Sequence, residues 1–340
     1  MVKIKYSLTE GPLFLRLLTF SVPIMLTGVL QAAYTMVGSM IVGQFSSDPH
    51  ALSAIGSTLY LIALFTNALI GLSAGAGIVI ARLFGAGDLG RIRRATHTSM
   101  AFSLLVGLAV ACVSLILSEP ILVWLGTTKE AFAGALLYFR LIMIGMPAVS
   151  VYNFGNSILR SVGDSKTPLY ILAVSGLINV GLSYLFVAIL GMSLDGVAYA
   201  TVISQYISAA WVVLVLIRAK DDSYKFKIKE LRIDGDSLKQ IMLFGIPAAL
   251  QSALFSLSNL LITNSINSLG NVAISSMTII EMIIQFPSVI VSAFTHSATT
   301  VLAQNLGANN VERSKKTVFY SVFQMTVLSF LLSLAVFLLS

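Results

Sequence analysis

RAKDDSYKFKIKELRIDGDSLK, from Arg218 to Lys239, is the only long run in the chain that is dense in charge, and apolar sequence flanks it on both sides. The sequence after it repeats, in weaker form, the sequence before it. ARLFGAGDLGRIRRA, from Ala81, has its echo in AQNLGANNVERSKKT, from Ala303, each a Gly-Ala turn followed by a basic cluster. SVPIML around Pro23 corresponds to GIPAAL around Pro247, and ALSAIG from Ala51 to AISSMT from Ala273. Three landmarks in one order and at a nearly constant offset mark an internal duplication joined by a charged linker.

Composition places both halves in a bilayer. Hydrophobic residues make up 57% of the 340 residues and charged residues 10%, far below the roughly 25% charged of a soluble domain. Charge-free runs of about 20 residues cross a hydrocarbon layer of ~30 Å as helices. They lack the period-2 alternation of a closed barrel. Nine apolar segments are expected, at 13–45, 51–80, 95–118, 131–158, 167–190, 196–218, 239–268, 272–303 and 315–340. Pro23, Pro147, Pro247 and Pro287 fall inside them, where each removes a backbone hydrogen bond and favours a bend. Cys112 is the sole cysteine, so no internal disulfide or cysteine cluster is available.

Lysine and arginine placement orients the chain. Counting alternate connections, nineteen of the 21 Lys and Arg, Arg160 among them, fall on one side, and only Lys129 and Arg140 fall on the other. Positive residues stay inside, so the N-terminus, the Gly-Ala turns and the linker are expected in the cytoplasm. Six crossings before the linker bring the second half in from the same side, which makes the halves parallel repeats. The expected units are a six-helix lobe over 1–218, a basic cytoplasmic linker over 219–238, and the first three helices of a second lobe over 239–340. The chain stops inside an apolar run, VLSFLLSLAVFLLS, and the duplication leads us to expect a second lobe cut short.

These landmarks resemble the multidrug and toxic compound extrusion (MATE) transporters over essentially the whole chain. The resemblance is carried by LQAAYTMVGSMIVGQF from Leu30, GAGIVIARLFGAGDLGRIRRATHT from Gly75, LRSVGDSKTPLY from Leu159, GVAYATVISQ from Gly196 and LQSALFSLSNLLITNSINSLG from Leu250. It implies an all-α integral membrane fold, a two-lobe bundle of the twelve-helix MATE type with about nine transmembrane helices present. It also implies an outward-opening cavity between the lobes, and export of amphipathic, cationic drugs or metabolites by antiport with protons or sodium. Two departures stand out. Gly38 and Ser183 occupy positions where the family commonly carries acids, with Thr35 where Asn is frequent and Asn179 retained, so ion coupling through the first lobe is in question.

Glu281 is the carboxylate that falls near mid-depth of a segment, about nine residues or ~13 Å into the eighth run. Charge there costs on the order of 3 kcal/mol, so such groups usually face a cavity or a partner, and we single it out as the cation-coupling residue. Gln285, Ser288, Ser292, Thr295, His296 and Thr299 share its helical face; Ser252, Ser256, Asn259 and Thr263 form a second polar stripe in the preceding segment. Either the two stripes line a water-filled cavity or they bond helix to helix. Gln31, Tyr34, Thr35, Asn153, Asn156, Asn179 and Gln205 are the first lobe's candidates for the substrate wall. No His, Cys and acid set has metal spacing, and the glycine-rich stretches lack the Lys and Ser/Thr of a phosphate loop. No metal, cofactor or nucleic acid is therefore expected, and ion gradients remain as the energy source. The expected partners are a small-molecule substrate and the lipid bilayer, with a multi-pass plasma-membrane location and a monomer at full length. A flippase for a lipid-linked precursor, or a non-transporting membrane paralogue, are the alternatives; an intramembrane enzyme is disfavoured by the lack of catalytic pairs.

Overall fold

A computed structural model describes the backbone of residues 8–46, 51–127, 129–267 and 271–339, with side chains except at Leu52, Leu260, 263–267, 271–283, 285–286, 336 and 339. The order is α1 (Leu13–Phe45), α2 (Ala51–Ala86), α3 (Leu89–Trp124), α4 (Lys129–Ile144), α5 (Met146–Ser161), α6 (Lys166–Tyr184), α7 (Leu194–Ile217), α8 (Gly235–Asn267), α9 (Asn271–Gly307) and α10 (Val311–Leu339). No strand occurs among the described residues. Seven described helices are long and apolar enough to cross a membrane, and α4 with α5, bent by 44°, make an eighth span. The remaining expected segment, the eighth, is α9, 37 residues long.

Local chemistry explains where these helices differ from the expected segments. The fourth breaks at Gly145, one residue before the Met146-Pro147 start of α5, where proline's missing N–H is an orphan anyway. Pro23, Pro247 and Pro287 stay inside unbroken helices. The fifth ends in a π turn over Leu185–Ile189. The turn after the second segment is shorter than its charge suggested: Arg82 ends up on α2, and Arg91, Arg93 and Arg94 on α3. Arginine is a good helix former, so only Gly87 interrupts, in the left-handed region at φ 71°. Asp88 then caps α3 by accepting from the Arg91 N–H at 3.0 Å.

The duplication appears in this detail. At the α9–α10 corner Asn309 takes the left-handed conformation at φ 56°, and Asn310 accepts from the Arg313 N–H at 3.0 Å. The two corners also meet reciprocally. Gly85 lies against the backbone of Gln304, and Gly307 against the backbone of Arg82, so that a Cβ on either would collide with a carbonyl. Gln304 and Gly307 stand at the places in their repeat that Arg82 and Gly85 hold in the first, as a two-fold relation requires.

Two seams join the halves. Along α2 and α8 the backbones touch: a Cβ on Gly71 would fall 2.5 Å from the Ala249 Cα, and one on Gly75 2.5 Å from the Ile241 carbonyl oxygen. Small residues allow such approach where water supplies no hydrophobic force between helices. The counterpart seam, α1 against α9, meets where Gly28 lies beneath Val289 and beside a small apolar cluster of Leu17, Phe20, Ile24, Ala293 and Val301. This second seam leaves a gap.

The linker packs down onto α3. His97 is buried. Its Nε2 accepts from the Lys227 N–H at 3.1 Å, so its other nitrogen donates to the Arg93 carbonyl at 2.8 Å. Phe226 lies 5.3 Å from the imidazole, centroid to centroid, and Thr98 Oγ1 accepts from the Asp234 N–H at 2.9 Å. Arg93 holds Glu230 with two bonds, which draws that carboxyl below the usual carboxylate range.

Candidate substrate cavity

The gap along the α1–α9 seam is a cavity of about 310 Å³ whose walls come from α1, α2, α5 and α9. It thus draws on helices from both sides of the linker. Ile24, Thr27, Gly28 and Gln31 of α1 face Ser288, Ser292, His296 and Thr299 of α9, with Ser73 and Gly77 of α2 and Asn153, Asn156 and Arg160 of α5 closing the sides. α5 is fixed to α2 by two hydroxyls that donate to backbone carbonyls, Ser157 to Ser73 at 2.6 Å and Ser161 to Gly77 at 2.8 Å. Gly77 is needed here because a Cβ would meet the Ser157 hydroxyl at 2.5 Å.

One end of the cavity, the end that carries the basic turns, is shut. Gln304, fully buried, joins three segments: its Nε2 donates to the Ser161 carbonyl at 2.7 Å, and its Oε1 accepts from the Leu8 N–H at 3.0 Å. Arg313 donates to the Gly11 carbonyl at 2.8 Å and to the Glu10 carbonyl at 3.0 Å. Gln324 donates to the Phe14 carbonyl at 2.8 Å. Together with the crossed Gly85 and Gly307 contacts, these bonds form a plug.

Four of the expected wall residues meet in this cavity: Gln31, Asn153, Asn156 and His296. Others are placed elsewhere. Tyr34 lies over Gly176 of α6, and Thr35 bonds back to the Gln31 carbonyl of its own helix. Asn179 donates to Thr201 at 3.3 Å across α6 and α7. Gln205 sits against Gly145 with its Oε1 buried and unpartnered. Ser256 accepts from Asn67 at 3.0 Å in the tight α2–α8 seam, which answers the helix-bonding alternative for that residue; Asn259 is half-buried. Glu281, Thr263 and Gln285 have side chains outside the described residues. Gly38 is buried beside Val197, and the Ser183 hydroxyl is buried without a partner.

Arg160 is the site residue that sequence reasoning missed: it was counted among the charges of the basic side, and its place in the cavity wall was not read. It closes α5 and lines the cavity. Two polar atoms there lack a partner: Arg160 Nε and Asn156 Oδ1 are buried with none at hydrogen-bond distance. The signal available in the sequence was its register, since Asn153, Asn156 and Arg160 recur at helical i, i+3, i+7 spacing.

Comparison with known proteins accords with this architecture. The MatE family model matches residues 23–185 and 247–340, one stretch on each side of the linker. The probable multidrug resistance protein YoeA of Bacillus subtilis (strain 168) is 30% identical over 308 residues, covering 88% of this chain and 66% of that protein. The multidrug export protein MepA of Staphylococcus aureus (strain MSSA476) is 27% identical over 332 residues, 98% of this chain and 73% of that protein. The chain therefore spans about two thirds to three quarters of the length of these relatives. Among solved structures, an outward-facing multidrug resistance MATE transporter of the MOP superfamily superposes with a TM-score of 0.87 at 23% identity, over 97% of this chain and 72% of that one. A MOP-superfamily transporter from Pyrococcus furiosus, described as having a binding pocket of reversed polarity, superposes with a TM-score of 0.88 at 24% identity, over 97% and 72%. On the family match, which covers most of its length on both sides of the linker, this multi-pass membrane chain belongs to the MATE family.

Proposed function

We propose that the chain works as a secondary active efflux transporter, exporting amphipathic, cationic drugs or metabolites by antiport with protons or sodium. The observation that carries this reading is the cavity built from both halves and plugged at one end, in a chain whose relatives YoeA and MepA are described as multidrug resistance and export proteins. The basic residues gathered at the plugged end favour a cytoplasmic plug and N-terminus in the plasma membrane, which makes this an outward-facing state. The lobes we assign are 1–218 and 239–340, with 219–238 as the linker between them. Export then requires the plug to open inward, drug to enter, and cation entry from outside to drive the return.

Magnitude makes this feasible. One proton crossing ~150 mV supplies ~3.5 kcal/mol, enough for a gradient of a few hundredfold at ~1.4 kcal/mol per decade. Glu281 is our choice for the coupling carboxylate and for the counter-charge of a cationic drug. It stands fifteen residues before His296 on α9, ~22 Å along a straight helix. The working unit we propose is a full-length monomer. Cells lacking their own exporters test the reading: expression of this chain lowers steady-state ethidium accumulation, and accumulation equal to an empty-vector control overturns it.

A further inference from the structure

Polarity in the plugged end of the cavity runs opposite to what a purely cationic substrate needs. The chain has fourteen Asp and Glu, of which Asp48 and Glu281 have side chains outside the described residues. None of the other twelve lines the cavity. Asp164, four residues beyond Arg160, is the nearest in sequence. Its oxygens are engaged in starting α6, where they accept from the N–H groups of Lys166 and Thr167 and from the Thr167 hydroxyl. The guanidinium thus stands in the wall with its Nε buried and unpaired, and His296 lines the same cavity from α9. On the α9 backbone Glu281 precedes His296 by four helical turns.

A guanidinium half withdrawn from water, with its Nε buried and no counter-ion among the described residues, is costly, because transfer from water is repaid only by an opposite charge with good hydrogen-bond geometry. Arginine presents a planar fork of donors suited to a two-oxygen acceptor such as carboxylate. Asn156 stands beside it on the same helix face, with an amide that donates to a second oxygen. Ile24, Ile70, Ile78 and Val289 supply apolar wall between the hydroxyls and amides of the same cavity. We propose that this end of the cavity is an anion subsite: Arg160, assisted by Asn156 and His296, binds the carboxylate of an amphipathic solute. The assignment deepens the transport reading and rests on it for the cavity being the substrate path.

Equilibrium binding tests the subsite without requiring transport. Rhodamine B, which carries a carboxylate on a cationic dye, is compared with its ethyl ester by fluorescence anisotropy, using the whole chain in phosphatidylcholine nanodiscs in chloride-free buffer at neutral pH. Wild-type protein prefers the acid over the ester, and Arg160→Gln lowers that preference roughly ten- to a hundredfold, the worth of one charge-assisted hydrogen bond set. Arg160→Lys retains part of it. An acid-to-ester ratio equal in wild type and Arg160→Gln overturns the proposal even if cells expressing the chain export ethidium. Should Arg160→Gln fail to fold, competition on the wild type decides: benzoate displaces rhodamine B better than benzamide does, and equal displacement overturns the subsite. Nanodiscs containing phosphatidylglycerol separate solute from lipid. A preference that survives there supports a solute site, and one abolished there assigns Arg160 to a lipid headgroup and overturns the proposal.

Discussion

Replacing Gly85 with alanine should loosen the plug. A Cβ at this position would lie 2.6 Å from the carbonyl carbon of Gln304, whereas non-bonded carbons rest at ~3.5–4.0 Å, so α2 and α9 must part by roughly 1 Å. The obstacle is backbone on both sides, and no rotamer change relieves it. Gln304 moves with its helix, and its bonds to Ser161 at 2.7 Å and from Leu8 at 3.0 Å stretch past useful length. Each bond contributes about 0.5–1.5 kcal/mol net, so the closed state loses about 1–3 kcal/mol and the open fraction rises about 5- to 150-fold. The assay is maleimide labelling of Ala303→Cys, a position buried in the plug, with the exposed native Cys112 replaced by serine. Labelling should accelerate by that factor in Gly85→Ala, and likewise in Gly307→Ala, whose Cβ would meet the Arg82 carbonyl carbon at 2.8 Å. Wild-type labelling rates in both variants would refute the reasoning.

The corners and the linker carry further predictions. Asn309→Gly should leave thermal stability nearly unchanged, because both residues accept φ 56°, whereas Gly87→Val should cost about 1–2 kcal/mol in the left-handed region; equal melting shifts in the two variants would contradict the shared corner geometry. Arg93 holds the Glu230 carboxyl below the usual carboxylate range, so its contribution is present above that range and lost as pH falls through the depressed value. The melting-temperature gap between wild type and Glu230→Gln should therefore be open at neutral pH and close in acid, and a gap that persists below the depressed value would show that charge is not its source.

Much of the fold was legible because membrane helices advertise themselves. The apolar runs, the four internal prolines and the charged linker each reflect bilayer thickness and backbone chemistry, and the repeat of GAGD in GANN even marked the two corners that share one geometry. Boundaries were less legible. Arg91, Arg93 and Arg94 read as a turn because they are charged, yet a charged residue continues a helix into water as readily as it ends one. The site was harder still. Gln31, Asn153 and Asn156 were nominated for polarity and His296 for its helical face, but the same grounds nominated Asn179 and Ser256, whose partners on α7 and α2 are Thr201 and Asn67. Arg160 was missed for a different reason: counting charges by side assigns every arginine near a helix end to water, and only the cavity that α5 shares with α1, α2 and α9 shows that this one faces inward.

Coupling through Glu281 is the claim that most needs direct measurement. The purified chain, reconstituted in proteoliposomes, should accumulate ethidium against its gradient when a proton or a sodium gradient of the opposite sense is imposed, and dissipating the effective gradient should stop it. Glu281→Gln, with wild-type elution and melting behaviour, should abolish that gradient-driven transport. Undiminished gradient-driven transport by the folded Glu281→Gln protein would contradict the account.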